Sequence, residues 1–130
     1  KTSSGPVPPW VSDAEGQLRE YFSGKRKSFH LPIARAPGSS FEEKVWRACA
    51  EIPYGQTMTY GQLAECIGHP AAARATGGAL GRNPLPLLTP CHRVIGATGR
   101  LTGFSSGLKW KKKLLRLENS APPPGIAIQW

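Results

Sequence analysis

Residues Thr59 to Gly81 constrain the fold of this chain more than any other stretch. Thr59 is placed to cap a helix over Tyr60 to Ile67 that closes at Gly68. After His69, Pro70 suits the first position of a further helix, Ala71 to Leu80, closed by Gly81. Two short helices joined by a tight Gly-His-Pro turn match the helix-turn-helix pattern, which DNA-binding domains share with purely structural helical hairpins. The second helix, Ala71-Ala72-Ala73-Arg74-Ala75-Thr76-Gly77-Gly78-Ala79, is nearly stripped of bulk apart from one arginine. Such a helix admits close approach by another surface, either a packed helix or a DNA groove. Arg74 favours DNA, because one long cation on a bare helix can enter the duplex or reach a phosphate.

The rest of the chain reads as short elements around this pair. Residues 1 to 11 are rich in Ser, Gly and Pro and read as a lead-in. Ser12-Asp13 is placed to cap a helix reaching Phe22, stopped by Ser23-Gly24-Lys25-Arg26-Lys27. Phe29 to Ile33 reads as a short extended piece and Ala36-Pro37-Gly38 as a linker. Ser40 as N-cap with Glu43 three residues on forms a capping box ahead of Val45, Trp46, Cys49 and Ile52, in a helix that ends at Pro53. Val94 to Phe104 holds two short β-prone pieces around a Gly-rich turn, which predicts a small hairpin. A last helix covers Leu108 to Leu117, its lysine run read as a solvated or DNA-facing surface, and residues 119 to 130, with three consecutive prolines, read as a tail.

Chemistry is concentrated at Pro90-Cys91-His92-Arg93-Val94, which follows the proline-broken run Pro84-Leu85-Pro86. The thiolate is the nucleophilic form of cysteine, and an imidazole that takes the proton, directly or through a water, raises its population. The ordinary alternative is a buried cysteine acting as a small hydrophobe. The flanking prolines, which deny the segment regular structure, and the cost of burying His92 and Arg93 without partners weigh against it. Cys49 and Cys66 sit in helical patterns and read as core residues. Glu118, among many cations, is either charge compensation or the group that orients an imidazole.

Composition narrows the class. With 130 residues and 39% hydrophobic content the chain makes one ordinary domain, or one plus a fragment. Three scattered cysteines and no C-x-x-C pair give neither a disulfide framework nor zinc, so a reducing interior is expected. No apolar run approaches the roughly 20 residues of a membrane span. Seventeen Lys and Arg against eight Asp and Glu, a net +9, attract polyanions. The chain starts at Lys1 rather than Met and reads as a processed or trimmed product.

Six strings carry a resemblance: Ile52-Pro53-Tyr54-Gly55-Gln56-Thr57, Tyr60-Gly61-Gln62-Leu63-Ala64, Ala73-Arg74-Ala75, Gly77-Gly78-Ala79, Asn83-Pro84 and Pro90-Cys91-His92-Arg93-Val94. In this order and spacing they resemble the O6-alkylguanine-DNA alkyltransferases, also called methylated-DNA-protein-cysteine methyltransferases. The match runs from about Ser12 to Glu118 and is dense after Phe41. The resemblance implies an α+β, mainly helical fold. A winged-helix-like DNA-binding and catalytic domain at 39–118 would follow the remnant of a ribonuclease-H-like α/β domain at 1–38 and precede a Pro-rich tail at 119–130. It implies DNA repair by base flipping and irreversible alkyl transfer from O6-alkylguanine in duplex DNA to Cys91, O4-alkylthymine being left open.

In that family pattern His92 generates the thiolate through a water, Glu118 holds the imidazole, and Tyr60 supports the departing guanine and helps rotate the target phosphate. Arg74 fills the gap left by the flipped base on a recognition helix whose small residues, Ala73, Ala75 and Gly77, line the minor groove. Asn83 ties the turn before the cysteine to the helix-turn-helix. Backbone groups of Cys91 and Val94, with Phe104, Ser105 and Ser106, line the guanine pocket. Phe104 stands where many members have tyrosine, so a hydroxyl is absent while the stacking surface remains, and Ser106 stands where glycine is common, which bears on tolerance for bulky alkyl groups. No cofactor and no metal are implied. The partner is double-stranded DNA bound by a monomer, with no membrane, in the cytoplasm at the nucleoid or in a eukaryotic nucleus. A non-enzymatic alkyltransferase-like damage sensor is the alternative; such proteins replace the cysteine that this chain keeps. A helix-turn-helix regulator or a thiol hydrolase would need a base-reading helix or another histidine and oxyanion arrangement, and neither is seen.

Overall fold

A computed structural model of the chain describes residues 9–31, 38–83, 87–102 and 107–130, and forms two compact units, Lys1–Arg35 and Ala36–Trp130. The first unit holds helix α1, Pro9–Phe22. It starts earlier than the Ser12 cap predicts, since a proline is tolerated where the N–H has no intrahelical partner. Gln17 clamps the chain after α1, donating to the His30 carbonyl at 3.0 Å and accepting from the His30 N–H at 2.8 Å. Tyr21, 1% exposed, lays its ring against Phe29 at 5.4 Å.

The second unit is built from α2 (Ser40–Ala50), β1 (Met58–Thr59), α3 (Tyr60–Cys66), α4 (Ala73–Gly81), a 3₁₀ turn at Cys91–Arg93, β2 (Val94–Ile95) and α5 (Leu108–Leu117). The capping box of α2 is Ser39 with Glu42, one residue before the expected Ser40 and Glu43. The same spacing is available in both registers. Glu42 additionally receives Arg82 from the end of α4, which favours the earlier one. Val45, Trp46 and Cys49 face inward, and the Trp46 indole donates to the Ala79 carbonyl at 2.8 Å, joining α2 to α4. A Cβ on Gly38 would lie 2.6 Å from that indole, so the chain entering α2 passes the ring only as glycine.

Thr59 caps α3 in a second capping box with Gln62, as the sequence predicts. Gly68 takes φ +82°, the left-handed conformation that ends such a helix. The helix after it starts at Ala73 and not at Ala71. The turn is closed by its own backbone bond, Ala72 N–H to the His69 carbonyl at 2.9 Å, and no side chain caps α4. Cys66, expected in the core, is exposed. Leu63, Ala64 and Ile67 define the inward face, and Cys66 lies about 100° around the helix from it.

Up to Thr102, beyond which residues 103 and 104 lie outside the described residues, the hairpin expected over 94–104 gives way to a different pairing. β2 runs parallel to β1, with Met58 opposite Val94 and Thr59 opposite Ile95. Val94 and Ile95 are both fully buried, a position that a half-solvated hairpin strand does not offer. The chain still turns at once, Gly96 N–H donating to the Arg100 carbonyl, but Arg100 then bridges Gln129 from the C-terminal end. The Pro-rich segment read as a tail returns along the domain body. Ala121 N–H donates to the Gly55 carbonyl at 2.9 Å and Gln129 N–H to the Gly99 carbonyl at 2.8 Å. Gly99, at φ +89°, leaves no room for a Cβ beside the Ala127 carbonyl. Val45, Trp46, Cys49, Ile52, Leu63, Ala79, Leu80, Cys91 and Val94 form the main core, so the candidate nucleophile is itself a core residue.

Candidate active site and DNA-facing surface

Pro90 ends the irregular approach, and the next three residues wind into a single 3₁₀ turn, with Arg93 N–H donating to the Pro90 carbonyl at 3.0 Å. The turn buries all three of its side chains: Cys91 is 7% exposed, His92 1% and Arg93 7%. The cost of burying His92 and Arg93 without partners, which weighs against a buried Cys91, does not arise, because partners are present. Both are inside because Glu118, at the C-cap of α5, meets them there. Glu118 Oε2 accepts from His92 Nε2 at 2.8 Å and from Arg93 Nη2 at 2.9 Å, and Oε1 accepts from Arg93 Nε at 2.8 Å. Arg93 Nη1 donates to the Ile52 carbonyl at 2.7 Å.

An ionised carboxylate only accepts, so the proton on Nε2 belongs to the imidazole and Nδ1 is left as the basic nitrogen. Nδ1 is buried and has no hydrogen-bond partner among the described residues. Burial outweighs Glu118 and holds the imidazole below its ordinary pKa of 6.5, so it is neutral near pH 7 and able to take a proton. Burial likewise pushes the Cys91 thiol above the usual cysteine value, against the pull of Asn83, Lys111 and the backbone. The resting thiol is therefore protonated, and becoming a nucleophile requires that a base take its proton.

A second set meets the same turn from the other side. Lys111, expected in a solvated lysine run, is fully buried. Its ammonium donates to the Val94 carbonyl at 2.7 Å, the Thr102 carbonyl at 2.8 Å and the Tyr60 hydroxyl at 3.4 Å. Desolvation lowers its pKa to about 8, which leaves it cationic at neutral pH. Tyr60 donates to the Thr102 carbonyl at 3.0 Å, and burial raises its pKa so that the phenol keeps its proton. Asn83, buried at the end of α4, donates from Nδ2 to the Thr89 carbonyl at 2.9 Å and bonds Cys91, linking α4 to the cysteine turn.

The structure thus brings together Cys91, His92, Glu118, Tyr60, Asn83 and Val94. Arg74 and Ala75 are exposed on α4, Ala73 is half-buried at its start, and Gly77 faces the Tyr60 ring. Phe104, Ser105, Ser106 and Pro84 lie outside the described residues. Sequence reasoning missed Arg93 and Lys111. Lys111 had a signal, since it shares the spacing i, i+3, i+4, i+7 with Leu114, Leu115 and Glu118, and so lies on the buried face of α5. Among the described residues no group of three or more His, Cys, Asp or Glu could hold a metal, and no helix is long and apolar enough to cross a membrane.

Fold and site together define a mainly helical domain with a two-stranded sheet, in which a protonated core thiol is backed by a histidine–glutamate–arginine cluster. The sequence profile of the family described as 6-O-methylguanine DNA methyltransferase, DNA binding domain, matches residues 40–120. The methylated-DNA--protein-cysteine methyltransferase of Methanosarcina acetivorans is 53% identical over 108 residues, 83% of this chain and 69% of that protein. The enzyme of the same name from Mycobacterium bovis is 44% identical over 128 residues, 98% of this chain and 77% of that one. The crystal structure of Mycobacterium tuberculosis OGT in complex with DNA superposes with a TM-score of 0.83 at 46% identity, covering 92% of this chain and 73% of that one. The chain belongs to the 6-O-methylguanine DNA methyltransferase family.

Proposed function

We propose that this protein repairs DNA by direct reversal, moving the alkyl group of O6-alkylguanine in duplex DNA onto Cys91. The observation that carries the reading is the bond from His92 Nε2 to Glu118, which leaves Nδ1 as a buried, unpartnered base on the residue after a protonated thiol. In the reaction the Cys91 proton passes to Nδ1 through a water, Sγ attacks the alkyl carbon, and the C–O bond breaks with its electron pair left on guanine. The Tyr60 hydroxyl, which accepts from the Lys111 ammonium, would turn its proton from the Thr102 carbonyl towards guanine, and the buried cation behind it favours the developing negative charge. The product is a thioether, which nothing here cleaves, so the transfer happens once.

The small-residue surface of α4 supports the approach to DNA. Among the described residues a Cβ on Gly77 would touch only the Tyr60 ring, at 3.7 Å, and one on Gly81 would meet nothing within 4 Å, so these residues do not demand glycine at either position. On this reading α3 and α4 are the helix-turn-helix of a winged-helix-like domain at 39–118. Ala73, Ala75 and Gly77 lie along the minor groove, and Arg74 occupies the space of the flipped base. Residues 1–38 are the close of a ribonuclease-H-like domain, and 119–130 follow as the Pro-rich segment. Phe104, Ser105 and Ser106 complete the guanine pocket, and the protein acts as a monomer in the cytoplasm at the nucleoid, or in a nucleus.

The test is mass spectrometry after incubation with duplex DNA containing O6-methylguanine. One methyl group is expected on the peptide containing Cys91, and none in Cys91→Ala. Tight lesion binding with an unmodified Cys91 would transfer the assignment to a damage sensor.

A further inference from the structure

We propose that the outer face of α5 is a second DNA-binding surface, which holds the phosphate backbone of a duplex segment other than the one on α4. This rests on the DNA-repair reading above only in taking duplex DNA as the polyanion at hand. The helix carries two stripes at the same spacing. Lys111, Leu114, Leu115 and Glu118 turn inward, and Lys109, Lys112, Lys113 and Arg116 run about 160° around the helix from them. Lys109, Lys113 and Arg116 are exposed and Lys112 is half-buried, with no acid anywhere from Leu108 to Leu117. Four cations therefore lie within about 10 Å of helix axis.

Within the stripe Lys109 faces Lys112 and Lys113, and Arg116 faces the same two, all at the spacings where like charges repel. No carboxylate on the helix face offsets this, and duplex DNA, with one negative charge per roughly 1.7 Å of axis, does. Two half-exposed tryptophans edge the stripe. The Lys113 ammonium lies 5.1 Å from the Trp110 ring centre and the Arg116 guanidinium 4.7 Å from that of Trp130, which steadies two of the cations. A membrane surface fits less well, because the apolar face of α5 is already spent on the core. The inward stripe touches Tyr60 through Lys111, and Gly77 of α4 faces the Tyr60 ring. The cationic stripe lies on the opposite side of α5 from Lys111 and so from Tyr60, which sets it apart from the surface that α4 presents to DNA on this reading.

The experiment uses the full chain bound to saturation on an immobilised duplex carrying O6-methylguanine, to which a labelled undamaged duplex is added. Wild-type protein should recruit the second duplex at low salt. K109Q/K112Q/K113Q/R116Q should lower that recruitment at least tenfold and flatten the log–log salt dependence by about 3 to 4, at roughly 0.9 per lost phosphate contact. Affinity for the first duplex should stay within about threefold and methyl transfer to Cys91 should be unchanged, the loss being confined to charges outside the site. K109R/K112R/K113R, which keeps charge, should recruit normally and so separates charge from folding. Recruitment unaffected by the glutamine variant, or a parallel loss of affinity for the first duplex, would overturn the proposal. If Cys91 stays unmethylated while recruitment behaves as described, the repair reading fails and the second surface stands.

Discussion

Replacing Glu118 by glutamine removes one charge and almost no volume, from a position where the side chain is 0% exposed. Three hydrogen bonds reach its carboxylate from His92 and Arg93, and in the amide one of the two oxygens becomes an NH2 that faces donors. Arg93 stays buried with the Ile52 carbonyl at 2.7 Å and the Tyr54 ring at 5.7 Å, neither of which neutralises it. Leaving one member of a buried pair uncompensated costs about 3–5 kcal/mol. For a unit of this size that lowers Tm by roughly 12–40 °C. Urea titration followed by tryptophan fluorescence measures the loss, with Trp46 in the core as reporter. The companion variant R93M/E118Q removes the stranded cation and should recover at least half of the lost stability. A cost below about 1 kcal/mol for E118Q, or an R93M change that adds to it, would refute the view that Glu118 is held chiefly as the counter-ion of Arg93.

Three further outcomes follow from the same geometry. Because burial holds His92 below 6.5, the unfolded chain takes up this proton first as pH falls; stability should drop through about pH 6.5 and the drop should flatten in His92→Gln, read from urea midpoints between about pH 5 and 8. A small neutral alkylating reagent at about pH 8 should label exposed Cys66 well before Cys91, whose thiol is buried and raised, whereas lesion DNA should modify Cys91 alone; peptide mapping decides, and faster reagent labelling of Cys91 would contradict the protonated resting state. Gly77→Ala should keep or raise stability, by up to about 1 kcal/mol of helix propensity, while weakening duplex binding; unchanged affinity in a gel-shift titration would remove Gly77 from the DNA surface.

Much of the site could be read from the chain because its parts are local. Cys91 and His92 are adjacent, Thr59 and Gln62 cap a helix across three residues, and α5 begins and ends where its leucines predict. Part of what was missed is long-range, and part is local. β2 finds β1 across more than thirty residues, a choice set by the burial of Val94 and Ile95 rather than by the turn beside them. Arg93 goes inside only because a carboxylate from another element waits there. Lys111 looks like its neighbours in a basic run, and only the helical period separates it from them. The start of α4 was misplaced because an uncapped alanine run carries no punctuation.

The return of the C-terminal segment bears on where this domain can be cut. The family match ends at residue 120, and every residue assigned to the chemistry precedes it. Yet the chain after Glu118 is fastened at Ala121 to Gly55 and Thr57 and at Gln129 to Thr98 and Gly99, on both sides of the cysteine turn in sequence. A chain trimmed to the matched residues would keep the full chemical inventory while losing the far anchor of the helix that carries Glu118 and Lys111. The mechanical extent of the domain therefore reaches at least as far as Gln129, beyond its recognisable stretch.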